Sequence, residues 1–105
     1  MKKIRLQTFA ISCAIGCSLY SAITLAAVDA HSRNLAASCA GCHGTDGRSV
    51  EGTPVLAGMD KKLFVAQMRD FKSGARVGTV MHHHAKGYSD EEFEKMAEFF
   101  AAQKR

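Results

Sequence analysis

Five consecutive residues, Cys39-Ala40-Gly41-Cys42-His43, constrain this chain more than anything else in it. Two thiols two residues apart, followed at once by an imidazole, suit only a few chemistries. They can form a redox dithiol, half of a zinc site or a short-range disulfide. They can also anchor a porphyrin, by adding across two vinyl groups on one edge and bringing the imidazole under the metal. Each option needs different surroundings, and the rest of the sequence chooses among them.

The first 28 residues answer a different question. Lys2, Lys3 and Arg5 precede an apolar run from Leu6 to Val28 that is interrupted only by small polar residues. A charged start, an apolar stretch and the small-residue sites Leu25-Ala26-Ala27 and Val28-Asp29-Ala30 read as a signal peptide over residues 1–27, cleaved after Ala27 or Ala30. The run is also about long enough to serve as a retained membrane anchor, and Cys17 is a poorer lipoprotein site because apolar sequence continues past it. The signal-peptide reading sends the protein to the periplasm, with no stable membrane insertion after cleavage.

Export changes the composition. The 47% hydrophobic content of the whole chain is concentrated in the part that leaves. Three of the 14 basic residues leave as well, so 11 remain against an unchanged 10 acidic ones and the mature chain carries about +1. The basic pI of the full chain is therefore no argument for nucleic-acid binding. Cys39 and Cys42 become the only mature cysteines, in about 75–78 residues. At that size a hydrophobic core alone is marginal and a staple or bound group is commonly needed.

Residues 28–105 read as one all-α domain of three helices and two loops. The first helix runs from about Asp29 to Ala40, with Asp29 or Ser32 as N-cap and Leu35 and Cys39 on one face. A glycine-rich loop follows, from Gly41 through Pro54 to Gly58. The second helix starts at an Asp60 cap, carries Phe64, Met68 and Phe71 at i, i+4, i+7 with Leu63 beside them, and stops at Gly74. Residues 75–88 read as an irregular second loop. The last helix has a Ser89/Glu92 capping box, Tyr88 and Phe93 at the staple positions, and an apolar face of Phe93, Met96, Ala97 and Phe100. Ala36 and Ala40 are small enough for that helix to cross the first closely. Loops of this length in so small a domain need a reason, and a large flat apolar cofactor supplies one.

That layout decides the motif. A thioredoxin-like dithiol belongs in a βαβ unit, and no segment shows strand alternation. A zinc site needs two further ligands in suitable spacing, which the run His82-His83-His84 could offer. Covalent attachment of one haem through Cys39 and Cys42, with His43 as an axial ligand, fits both the motif and the fold.

With that constellation the mature chain resembles the class I c-type cytochromes over essentially its whole length. The resemblance implies an all-α fold wrapped around one covalent haem c, a one-electron carrier rather than an enzyme, and a methionine as second axial ligand. Of Met59, Met68, Met81 and Met96, it places the ligand at Met81, in the loop between the second and third helices. Met68 and Met96 read as core residues beside aromatics. The neighbouring histidines leave bis-His ligation open, although consecutive residues point in different directions and cannot all converge; otherwise they are solvated or line the haem edge. The resemblance also implies that the Pro54 carbonyl accepts a hydrogen bond from the ligand histidine, and that Leu56 packs on the porphyrin.

A finer resemblance lies in Phe71-Lys72-Ser73-Gly74, Met81, Ala85-Lys86-Gly87-Tyr88-Ser89 and Phe93-Glu94-Lys95-Met96, together with Cys42-His43-Gly44-Thr45-Asp46-Gly47 and Ser49. These are similar to the cytochrome subunit of flavocytochrome c sulfide dehydrogenases. That likeness implies an FAD-containing flavoprotein subunit as electron donor and a separate downstream redox acceptor. Some such subunits carry two haem domains where this chain has one, and the triple histidine departs from the stretch expected after the ligand. A freely diffusing carrier serving several partners is the competing reading, and a non-haem metal-binding protein using Cys39, Cys42 and the histidines is a third.

Overall fold

A computed structural model describes residues 29–105; the expected signal peptide, residues 1–27, lies outside the described residues. Every regular element is helical: α1 (Ala30–Ala37), α2 (Ala40–His43), α3 (Lys61–Ser73), α4 (Met81–His84) and α5 (Asp90–Ala101), with single 3-10 turns at Thr45–Gly47 and Ala85–Gly87. Among the described residues no strand is present, and no helix is long and apolar enough to cross a membrane.

The helix ends follow local chemistry. Asp29 caps α1 by accepting from the His31 amide, while Ser32, the other candidate, is buried inside the helix. Asp60 accepts from the Leu63 amide at 3.0 Å, and Gly74 closes α3 at φ 85°, the left-handed conformation that glycine adopts without penalty. Ser89 and Glu92 form both halves of the capping box, and Asp90, Glu91 and Glu92 place negative charge at the positive end of α5.

Three expectations need correction. The first helix does not run unbroken to Ala40. It ends at Ala37, turns at Ser38 and Cys39, and restarts as α2, so Ala40 is exposed and only Ala36 serves the crossing. Residues 75–88 are not wholly irregular: Val80 precedes the helical turn α4, which runs straight into the 3-10 turn. One turn fixes too few hydrogen bonds to show in apolar periodicity, and tertiary contact with α3 holds it. Leu63 is half exposed and does not join the apolar face of α3.

The core forms where α5 packs against α1 and α3. Phe93, Met96, Ala97 and Phe100 are essentially inaccessible there, with Ala36, Phe64, Val65 and Met68 around them. Phe100 meets Phe64 and Phe99 at centroid distances of 5.5 and 5.3 Å, within the range of favourable tilted and edge-on pairs. Ion pairs of Arg69 and Lys72 with Asp90 join α3 to the start of α5 at the half-exposed surface, where such pairs add little.

Candidate haem site

The turn that breaks the first helix builds the site. Ser38 and Cys39 keep right-handed helical dihedrals but interrupt the hydrogen-bond ladder, and α2 then presents Cys42 and His43 one turn further on. Cys39 is buried and Cys42 exposed, and neither is in a disulfide. Burial pushes the Cys39 thiol up, against a smaller pull down from the Ser38 hydroxyl and with a further push from Cys42. A thiol held protonated is slow to oxidise, because the thiolate is the reactive form.

His43 is buried, and its Nδ1 lies 2.7 Å from the Pro54 carbonyl oxygen. A carbonyl only accepts, so Nδ1 carries the proton and Nε2 keeps the free lone pair. The loop that brings Pro54 there is pinned by the Leu56 and Ala57 amides, which both donate to the Gly47 carbonyl. This bond fixes the tautomer and raises the basicity of the other ring nitrogen.

Opposite this wall stand α4 and the chain before it. A cleft of about 840 Å³ separates the two sides, within the ~300–1,000 Å³ usual for small-molecule and cofactor sites. Cys39, Cys42, His43, Pro54, Leu56 and Met81 all line it. Phe64, Met68 and Phe71 form an apolar floor, and the Arg76 guanidinium lies 5.1 Å above the Phe71 ring. Arg76 is the one formally charged side chain among the described lining residues. A smaller groove of about 420 Å³, bounded by Arg48, Val50, Val55 and Arg105, takes in none of the six.

The methionines separate. Met81 opens α4 and is half buried against the core; Met59 and Met68 also reach the cleft, whereas Met96 does not. The histidine run diverges as well. His83 and His84 line the cleft, while His82 does not and leaves its Nδ1 buried without a hydrogen-bond partner. Among the described residues no group of three or more His, Cys, Asp or Glu side chains is close enough to hold a metal ion, so the triple histidine does not complete a zinc site with Cys39 and Cys42. Two contributions had no signal in the sequence. Gln67 and Thr79 line the cleft, and Tyr88, expected only as an apolar staple, sends its hydroxyl to Ser38, fifty residues away.

An all-α fold whose cleft gathers two free thiols, an oriented imidazole and thioether donors over an apolar floor defines a small protein built around a covalently held redox group. Residues 32–104 match the Cytochrome c family model, and the chain belongs to the cytochrome c family. Its cofactor is one covalently bound haem c, and its family is one of electron-transfer proteins. It is similar to the cytochrome subunit of sulfide dehydrogenase from Chlorobaculum tepidum, with 48% identity over 63% of this chain and 60% of that protein. It is also similar to the thiosulfate dehydrogenase electron acceptor of Stutzerimonas stutzeri, with 44% identity over 59% of this chain and 30% of the relative. A third relative is cytochrome c4 of Pseudomonas aeruginosa, 39% identical over 66% of this chain and 35% of its own length. The chain thus spans about three-fifths of the first of these and about a third of the others.

The donor set fits the group that the family carries. Both thiols and the imidazole border the same apolar cleft, and the imidazole is already held with one nitrogen free. When bound, the haem supplies the iron that cycles between ferrous and ferric states.

Proposed function

We propose that this chain is the electron-accepting cytochrome subunit of a sulfide-oxidising flavocytochrome c in the periplasm. Its donor is an FAD-containing flavoprotein subunit, and it passes electrons singly to a downstream acceptor. Cys39 and Cys42 hold the haem as thioethers, and His43 and Met81 are its axial ligands. Pro54 orients His43, and Leu56 packs on the porphyrin. A thioether opposite an imidazole raises the reduction potential relative to two imidazoles, which suits an acceptor. Cleavage falls after Ala27, which keeps the Asp29 cap of α1, rather than after Ala30, which removes it.

One observation carries the choice of partner: the 48% identity to the cytochrome subunit of sulfide dehydrogenase from Chlorobaculum tepidum. A carrier that meets several partners in passing relies on a charged rim to steer encounter, and its rates fall with salt; a resident subunit relies on apolar contact. Val80, an apolar side chain that lines the cleft and is 59% exposed, supports the resident subunit. The likenesses to a thiosulfate dehydrogenase electron acceptor and to cytochrome c4 support the second reading, a diffusing carrier with several partners.

Affinity purification from native periplasm tests the partner. A flavoprotein that stays bound through a high-salt wash supports the complex; a lone monomer with strongly salt-dependent reduction rates sinks it. The ligands are tested separately by spectroscopy of the ferric protein. A methionine-to-iron charge-transfer band that disappears in Met81→Ala is the expected result. A band unchanged by that substitution, or lost only in His83→Ala or His84→Ala, overturns Met81.

A further inference from the structure

Tyr88 closes one end of the Met81-bearing turn, and three contacts from three different elements converge on it. Lys72 of α3 donates to its carbonyl at 2.7 Å. The edge of its ring meets the His84 ring of α4 at a centroid distance of 5.5 Å. Its hydroxyl makes a 2.5 Å hydrogen bond to Ser38 Oγ, in the turn that carries Cys39. Ser38 Oγ also lies 3.0 Å from the Leu35 carbonyl and 3.9 Å from Cys39 Sγ, so either hydroxyl of the Tyr88–Ser38 pair can donate.

Ser38 and Cys39 belong to the attachment side of the cleft, and Met81, His83 and His84 to the facing side. The Tyr88–Ser38 bond therefore ties one wall to the other. We propose that Tyr88 is a positioning residue that clamps the Met81 turn against the attachment segment and so sets how readily another ligand displaces Met81. This rests on the reading of Met81 as a ligand. Opening the cleft at Met81 requires α4 to swing away, and the clamp opposes that movement because His84, Tyr88 and Ser38 must part with it. The hydroxyl is at the surface, so water replaces part of what is lost, and the effect is that of one exposed hydrogen bond.

Titration of the purified ferric holoprotein with imidazole, followed by loss of the methionine charge-transfer band, measures the displacement. Tyr88→Phe removes the hydroxyl and keeps the ring, and is expected to raise the apparent affinity for imidazole about three- to tenfold. Ser38→Ala is expected to do the same, and the double variant to go no further than either single change. Asp29→Ala, which uncaps α1 away from α4, is expected to lower the thermal midpoint and leave imidazole affinity alone. An unchanged affinity in Tyr88→Phe while the band is intact overturns the clamp by itself. So does an equal rise in Asp29→Ala, which would reduce the effect to general loosening. A band that survives Met81→Ala overturns the ligand assignment first, and the clamp with it.

Discussion

The molecule has two sides built on different principles. Where α5 crosses α1 and α3, long helices bury aromatic side chains against each other, and Phe93, Met96 and Phe100 are 0–1% exposed. Around the cleft, above the floor that α3 supplies, the elements that face each other are α2 and α4, one turn each, and α4 buries no residue completely. Helices that short do not persist alone, because nucleation costs more than a single turn returns. The packed side carries its own driving force in the apolar area it buries. The cleft side is held by individual ties: Pro54 to His43, Gly47 to Leu56 and Ala57, and Tyr88 to Ser38. Stability and chemistry are thus divided between two faces of one small domain, and the divide can be tested.

The largest effect should come from the attachment cysteines. Replacing Cys39 and Cys42 together by serine leaves no thiol to form a thioether, so haem staining on a denaturing gel should be lost completely. Hydrogen exchange of the same variant should show α4 and α2 losing protection well before α5. Equal loss in all helices would mean that the two sides are one cooperative unit and that the division is only geometric.

On the packed side, Phe93→Ala removes the ring at the centre of the core and should cost about 3–5 kcal/mol. Thermal melting of the holoprotein reads that loss. Its iron-ligand spectrum at low temperature should remain that of the wild type, because Phe93 does not line the cleft. A changed spectrum would show that packing at α5 sets the iron environment directly.

Gly47 is the hinge between the sides. It sits at φ 76°, and a Cβ there would lie 2.8 Å from Leu56 Cβ, 2.9 Å from the Ala57 nitrogen and 2.9 Å from a Phe100 ring carbon. One of these is cleft lining, one is backbone and one is core. Gly47→Ala should therefore cost about 1–3 kcal/mol from overpacking, with backbone strain added. It should also disturb the haem spectrum, as a purely packed-side change should not. A melt lowered without any spectral change would place Gly47 on the packed side alone.

The two sides also differed in how far the sequence revealed them. The packed side follows local rules: the Ser89/Glu92 box, the Asp60 cap, the Gly74 stop and the Phe93–Phe100 stripe are short-range signals, and the structure has each of them. The six residues expected at the site are named by the Cys-x-x-Cys-His spacing and the family resemblance, and the fold brings them to one cleft. What was not legible is made of long-range contacts. The turn at Ser38 and Cys39 has no breaker residue in it, α4 is too short for a period, and Tyr88 meets Ser38 across fifty residues. No local pattern encodes a hydrogen bond of that kind.

The smallest effect concerns Asp29, which caps α1 on the packed side. A hydrogen bond from the His31 backbone holds the Asp29 carboxyl below its ordinary value against slight desolvation, and Lys95 and His31 add charge attraction. A carboxylate whose pKa is lower in the folded state stabilises the fold above its unfolded pKa. That contribution is lost as pH falls through the folded value. Asp29→Asn separates charge from shape, because asparagine caps a helix about as well as aspartate. The variant should melt slightly below the wild type at neutral pH, and the gap should close as the solution is acidified through the carboxylate range. Salt should close it too, since the Lys95 contact at 3.6 Å is at the surface. The spectrum of the iron site should follow neither change. If it tracked the Asp29 titration, the N-terminal cap would be coupled through α1 and the Ser38 turn to the attachment segment, and the boundary between the two sides would have to be drawn at Ser38 rather than at the core.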